Sequence, residues 1–307
     1  MSYVMDSSLL IASIFSLWLG AVWVVDSASR ISQRLGISEL VIGLTVVAFG
    51  TSAPEFAVSI TAAVRGQADI SIGNVVGSNI FNLGFILGGV AIFKAIKTTP
   101  KLVYRDGIIL IVTTFLLLIF LWDSKIERWE GMILLAALLS YLLLLFFKKE
   151  TLDEEVPHGA FRWFDIPLLI LGLILIVGGG HFLVESASSL ARSMGISEWV
   201  IAVTIVAAGT STPELATSIV AVYKGKYGLS AGNLIGSDLF NLLGVLGLAA
   251  TIRPMQIDPH SYIEIVLLSA LVVTVVVMMR TGWRISRTEG AFLVVINLIR
   301  WITNFSQ

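Results

Sequence analysis

The stretch that decides the fold is "LVIGLTVVAFGTSAPEFAVSITAAV", Leu40 to Val64. It is long and apolar enough to cross a bilayer. Near its middle stands "GTSAPE", Gly50 to Glu55. Pro54 there breaks a helix, because proline lacks the N–H that the carbonyl one turn back needs. Glu55 puts a carboxylate at a depth where charge is costly and by default functional. The hexapeptide returns as "GTSTPE", Gly209 to Glu214, inside "WVIAVTIVAAGTSTPELATSIVAV", Trp199 to Val222.

Outward from these two stretches, the whole chain reads as membrane protein. It has 307 residues, of which 56% are apolar and only 13% charged. Mean hydropathy is +0.92, far from a soluble domain of this size. The net charge of −1 offers nothing to nucleic acid, and the lack of cysteine excludes disulfides and thiolate metal sites. Ten apolar spans are expected at 8–30, 38–64, 70–93, 105–122, 129–147, 164–190, 197–223, 228–251, 261–280 and 286–304. The polar segment "KKETLDEEVPHGAFRW", Lys148 to Trp163, divides them five and five. The domain reading is therefore a first repeat at 1–147, a linker at 148–163 and a second repeat at 164–307. With the N-terminus outside, the loops facing the cytoplasm hold 14 Lys and Arg against 6 on the other side. The positive-inside rule then places both termini outside and the 148–163 loop in the cytoplasm, with the chain in the cell membrane.

The two halves match at a constant offset of 159. "VVDSAS" (24–29) faces "LVESAS" (183–188), "LGISELVI" (35–42) faces "MGISEWVI" (194–201), and "GNVVGSNIFNL" (73–83) faces "GNLIGSDLFNL" (232–242). Greasy helices resemble one another in composition, but they do not share Gly, Asn, Ser, Pro and Glu at fixed positions. Five spans is an odd number, so the second half enters the membrane inverted. The expected fold is all-α and polytopic: ten transmembrane helices as two inverted-topology repeats, with helices 2 and 7 broken. Secondary transporters built this way bind substrate near the midplane, on their discontinuous helices.

The chemistry of the repeated motifs is oxygen and amide. Carbonyls freed by Pro54 and Pro213 need a partner in lipid. Thr51, Ser52, Thr210 and Ser211 add hydroxyls, and Glu55 and Glu214 add two negative charges. Ser78 and Asn82, like Ser237 and Asn241, are four apart and share a helix face. A second reading of Ser78 and Ser237 has them bonding a backbone carbonyl of their own helix. Gly73, Gly77, Gly232 and Gly236 repeat at a spacing that permits close helix approach. The three histidines, His158, His181 and His260, lie outside the motifs. Such a set suits hard cations, Na⁺ or Ca²⁺, and two carboxylates match one Ca²⁺.

These residues carry a resemblance. "GTSAPE" with "GNVVGSNIFN", then "GTSTPE" with "GNLIGSDLFN", resemble the sodium/calcium exchanger family of the cation/calcium antiporter superfamily, in its prokaryotic, transmembrane-only form. The resemblance implies Na⁺/Ca²⁺ antiport by alternating access. It implies a central Ca²⁺ site on Glu55, Glu214 and the carbonyls of Thr51 and Thr210. It implies an outward Na⁺ site on Glu55, Ser78, the Ala207 carbonyl, Thr210 and Ser211. The inward counterpart would use Glu214, Ser237, the Ala48 carbonyl, Thr51 and Ser52, with Asn82 and Asn241 flanking the midplane. The first and sixth spans would slide against the rest. Some relatives carry Asp at the position of Asn241; its absence here argues against K⁺ dependence, and an excess of Na⁺ charge over Ca²⁺ would make transport electrogenic.

Two questions stay open at this point. Asp238 stands where the first half has Asn79, and it either reaches the cavity or pairs with a neighbouring donor. A Ca²⁺/H⁺ antiporter on the same fold is the alternative function; a cation channel fits less well, since an inverted repeat within one chain is unlike a symmetric oligomeric pore, and a membrane enzyme fits least, since no nucleophile or catalytic metal set joins the two glutamates. No cofactor is expected. The expected partners are inorganic cations and the lipid bilayer, with no nucleic acid and no obligate protein partner, so that a monomer would function.

Overall fold

The computed structural model describes residues 3–147, 162–196, 201, 205, 207–256 and 258–305. The chain begins with a long helix α1, Tyr3–Leu35, followed by a bent pair, α2 (Glu39–Thr51) and α3 (Ala53–Val64). Then come α4 (Ala68–Phe93), α5 (Leu102–Asp123) and α6 (Arg128–Phe147). The second half runs α7 (Asp165–Ser193), α8 (Thr212–Tyr223), α9 (Tyr227–Ile252), α10 (Pro259–Arg280) and α11 (Arg287–Phe305). The order of these helices follows the expected spans, and the fold is a helical polytopic membrane fold.

By length and apolarity, seven helices among the described residues qualify as membrane spans, and eight with the bent pair counted as one. Two of the ten expected spans fall short for identifiable reasons. The first part of 197–223 lies outside the described residues. Arg287–Phe305 carries Arg287, Glu289 and Arg300 within 19 residues. The 148–163 linker also lies outside the described residues, apart from Arg162 and Trp163.

The bend between α2 and α3 is 50°. Its cause is local. Ser52 leaves helical geometry at φ −78° and ψ 6°, and Pro54 sits in the first turn of α3, the one helical position where a missing N–H costs nothing. Ser211 repeats this at φ −89° and ψ 8°, with Pro213 in the first turn of α8. The turns that follow also repeat: Gly66 and Gly225 both take φ near +80°, a conformation that side chains resist.

Four two-residue strands tie the halves together at the ends of the helices. β1 (Ile96–Lys97) pairs with β4 (Arg284–Ile285), and β2 (Lys125–Ile126) pairs with β3 (Met255–Gln256), both antiparallel. Adding or subtracting 159 turns the Ile96–Ile285 pair into the Ile126–Met255 pair. Only a two-fold relation between the halves generates that reciprocity.

The two long helices α1 and α7 come backbone to backbone where Gly20 and Gly172 meet, with Val24 and Ile176 buried beside that contact. A Cβ at Gly20 would fall 2.7 Å from the Gly172 carbonyl, and one at Gly172 would fall 2.9 Å from the Gly20 carbonyl. Close backbone approach is what small residues supply where lipid offers no hydrophobic drive between helices. Elsewhere the expected glycine packing is asymmetric. A Cβ at Gly232 would meet the Leu40 carbonyl at 2.6 Å, and one at Gly236 would meet Leu44 backbone at 2.7 Å. Gly73, by contrast, is exposed and Gly77 half-buried, whereas Gly232 and Gly236 are buried.

Candidate cation-binding site

The repeat places its polar residues on four elements, the α2–α3 break and α4 from one half, and the α8 break and α9 from the other. Glu55, Glu214, Thr51, Ser52, Ser211, Ser237, Asn82 and Asn241 are fully buried, and Ser78 is 2% exposed. Glu55 and Glu214 each sit in the first turn of the helix that follows a break.

The carboxylates are held by the opposite repeat. Ser52 donates to Glu214 Oε1 at 3.1 Å, and Ser211 donates to Glu55 Oε1 at 3.3 Å. Ser237 donates to the same Glu214 oxygen at 3.1 Å. Thr51 and Ser237 hydroxyls lie 3.4 Å apart, as do those of Thr210 and Ser78. The hydroxyls of Thr51, Ser52, Thr210 and Ser211 thus each reach the other half, so the two hexapeptides form one structure. Ser78 and Ser237 face the break residues rather than bonding only within their own helices.

What the carboxylates lack is as informative. Glu55 Oε2 and Glu214 Oε2 are buried without any hydrogen-bond partner. Among the described residues neither glutamate has an ion pair; pairs such as Arg30–Asp165, Arg105–Asp106, Lys224–Asp26, Lys226–Glu39 and Arg300–Glu264 lie elsewhere. Two buried carboxylates without a basic neighbour need a cation or protons to offset their charge.

The backbone carbonyls are less free than the prolines suggested. The Ala48 carbonyl accepts from Ser52 N–H at 3.0 Å and from the Thr51 hydroxyl at 3.3 Å. The Gly209 carbonyl accepts from the Thr212 hydroxyl. Ala207 belongs to the short helical turn Ala207–Gly209 that precedes the second break.

Two asparagines belong to this site that the spacing argument passed over. Asn233 Oδ1 accepts from the Thr51 hydroxyl at 3.0 Å. Asn74 donates to Ser59 Oγ at 2.9 Å and to the Glu55 carbonyl at 3.4 Å. The signal was present: Asn74 and Asn233 precede Ser78 and Ser237 by four residues, one more turn along the same face.

Asp238 does pair with a neighbour. It is fully buried, and its Oδ1 accepts from Asn82 Nδ2 at 3.1 Å. Asn79 Nδ2 donates to the Asp238 carbonyl at 3.1 Å, and Asn241 Nδ2 donates to Asn79 Oδ1 at 3.0 Å. The bonds from Asn82 to residue 238 and from Asn241 to residue 79 are the same bond at the offset of 159. Asn82 opens a π-helical segment, Asn82–Leu87, and Asn241 lies in another, Phe240–Val245. The wider π turn is a recurrent feature of functional sites in helices.

Two cavities border the breaks. One, of about 540 Å³, lies between Pro54, Thr210 and Pro213 on one side and His181 and Val184 of α7 on the other. A smaller one, of about 120 Å³, is lined by Gly73, Asn74, Gly77 and Ser78, facing Ala208 and Trp301.

The sodium/calcium exchanger protein family matches residues 7–147 and 164–300. A putative antiporter, CaxA, of Alkalimonas amylolytica is 37% identical over 93% of this chain and 96% of its own length. The sodium/calcium exchanger MaX1 of Methanosarcina acetivorans is 32% identical over 89% of this chain and 91% of its own length. Among solved structures, the sodium-calcium exchanger NCX_Mj superposes with a TM-score of 0.86 at 28% identity, covering 97% of this chain and 98% of that one. The chain belongs to the sodium/calcium exchanger family, a family of membrane antiporters rather than enzymes.

Proposed function

We propose that this protein exchanges Na⁺ for Ca²⁺ across the membrane by alternating access, electrogenically and without K⁺. The observation that carries this reading is the pair of buried glutamates. Each has one oxygen held by a serine of the opposite repeat and one oxygen with no donor. A site of net charge −2 built from oxygen ligands matches Ca²⁺. The same oxygens, divided among monovalent ions, serve Na⁺, and mutually exclusive occupancy of one charged site gives exchange.

In this reading, Glu55 and Glu214 bind Ca²⁺ together with the Thr51 and Thr210 carbonyls. One Na⁺ occupies Glu55, Ser78, Thr210, Ser211 and the Ala207 carbonyl. Another occupies Glu214, Ser237, Thr51, Ser52 and the Ala48 carbonyl. The Ala48 carbonyl, already accepting two bonds, must give one up to serve. The repeats at 1–147 and 164–307 alternate in exposing these sites, and α1 with α7 slides along the bundle as one body. Both termini lie outside, and the 148–163 loop lies in the cytoplasm. Transport needs no cofactor, and a single chain suffices.

The test is Ca²⁺ flux into proteoliposomes with Na⁺, K⁺ and H⁺ gradients imposed one at a time. An outward Na⁺ gradient is expected to drive Ca²⁺ uptake, with charge movement, and K⁺ to have no effect. Uptake driven by a pH gradient in Na⁺-free buffer, with no response to Na⁺, would replace this reading with Ca²⁺/H⁺ exchange.

A further inference from the structure

We propose that Arg65 and Glu185 form an ion-pair latch on the outer side of the protein in its alternate state, and that this latch takes over from the Asp26–Lys224 pair on the cytoplasmic side. The inference rests on the exchange reading above only in taking α1 with α7 as the sliding body. It adds the contact that each end makes with the bundle when that end closes.

The Asp26 carboxylate of α1 and the Lys224 ammonium lie 2.5 Å apart. Lys224 caps the C-terminus of α8, the 12-residue helix whose first turn holds Glu214. The pair therefore ties α1 to the far end of a site helix, about 15 Å along its axis from the buried carboxylate. Adding 159 to Asp26 gives Glu185 of α7, and subtracting 159 from Lys224 gives Arg65. Arg65 caps α3 in the same way, and α3 holds Glu55 in its first turn. Both charges keep their signs in the second copy, so the sequence writes the same ion pair twice.

The structure forms it once. All four positions lie among the described residues. Among these residues Arg65 and Glu185 have no ion pair, and both are exposed. Contacts inside the sliding body behave differently. Arg30 donates to Asp165 Oδ1 at 2.7 Å, and Ser189 donates to Asp6 Oδ2 at 2.8 Å. These are one contact at the offset of 159, and both copies are present at once. Bonds within a body that moves as a unit are kept at both ends. Bonds between that body and the bundle form at one end at a time, because a slide that closes one end opens the other. The neighbouring Lys226–Glu39 pair has no such twin, since Gln67 stands in the place of Lys226. A single latch would bias the protein toward one state. Two latches of similar strength offset each other and leave both states within reach.

The experiment uses the full chain, which has no native cysteine, in oriented proteoliposomes. Arg65→Cys with Glu185→Cys is treated from outside with an impermeant bifunctional thiol reagent while Na⁺ and Ca²⁺ gradients drive turnover. Cross-linking is expected, with exchange arrested and then restored by a reductant that cleaves the link. Adding Lys224→Ala, at the opposite side of the membrane, is expected to speed the cross-link by up to about fivefold, the reach of a partly exposed ion pair. A purely local role for Lys224 leaves that rate alone. A pair that never cross-links, or a rate indifferent to Lys224→Ala, overturns the latch. Where the cysteine variants do not yield monodisperse protein, the charges themselves decide. Arg65→Glu is expected to slow exchange by up to about fivefold, and adding Glu185→Arg to restore it; no restoration overturns the pairing. A chain whose Ca²⁺ flux ignores Na⁺ while the cross-link still forms and still responds to Lys224→Ala overturns the sodium coupling and leaves the latch standing.

Discussion

Gly73 and Gly77 in α4, and Gly232 and Gly236 in α9, occupy identical places in the two repeats, yet their surroundings differ. The second pair is pressed onto the backbone of α2, with no room for a methyl group. The first pair lines a cavity of about 120 Å³. The contrast extends to their neighbours: Asn74 is half-buried beside that cavity, while Asn233 is fully buried and bonded to Thr51. In the proposed orientation, the sealed pair lies on the cytoplasmic side and the open pair on the outside. The described residues thus give equivalent glycines unequal surroundings; the positions at the offset of 159 from the α2 face that covers Gly232 and Gly236 fall at 199–203, which lie outside the described residues apart from Ile201.

The largest effect expected concerns what the two regions share. Glu55→Gln and Glu214→Gln each remove half of the countercharge. Each is expected to lower Na⁺-driven Ca²⁺ uptake in proteoliposomes by about a hundredfold or more, since a buried ion then lacks its partner. Unaltered uptake in either variant sinks the site assignment.

Bulk at the glycines breaks the comparison itself. Gly236→Val blocks the sealed arrangement, and Gly77→Val blocks its mirror image. Both are expected to stop turnover, but only Gly77→Val is expected to keep Ca²⁺ binding from the outside, measured on oriented vesicles. Identical behaviour of the two variants would refute the asymmetry.

The lack of native cysteine allows a direct measure. Asn74→Cys is expected to react with an impermeant thiol reagent from outside at least about ten times faster than Asn233→Cys, because reaction requires an accessible thiolate. Equal rates would show that the two faces open alike.

Smaller effects should be symmetric. Ser52→Ala and Ser211→Ala each delete one hydroxyl donor to a carboxylate, worth about 1.5–3 kcal/mol, and Ca²⁺ affinity is expected to fall by about tenfold or more in both. A loss confined to one of them would mean that the cross-repeat bonds are not equivalent. The smallest change is Lys224→Ala, which removes a partly exposed ion pair to Asp26 of α1 at 2.5 Å. Exposed pairs contribute at most about 1 kcal/mol, so the exchange rate should shift less than about fivefold.

Much of this was legible in the chain alone. The duplicated hexapeptides, the shared offset and the odd span count point to an inverted helical fold. The oxygen-only inventory points to hard cations. Ser78 and Ser237 were found because helical spacing is a local property, and Asn74 and Asn233 lay one turn further along the same face. Asp238 could not be settled this way. Its direction on the helix admits either the cage or a neighbouring donor, and only the contact with Asn82, 156 positions away, decides between them.

The sequence by itself determined the class of protein, the duplication and the identity of the two carboxylates, because hydropathy and residue spacing are written along the chain. Residue spacing could not say which partners meet; the family resemblance implied, and the tertiary structure shows, that Ser52 serves Glu214 and Ser211 serves Glu55. The tertiary structure alone decided that equal glycines sit in unequal surroundings. A repeat fixes which residues are equivalent, but a two-fold axis joins each residue to the other copy's neighbours, and that choice is made by packing.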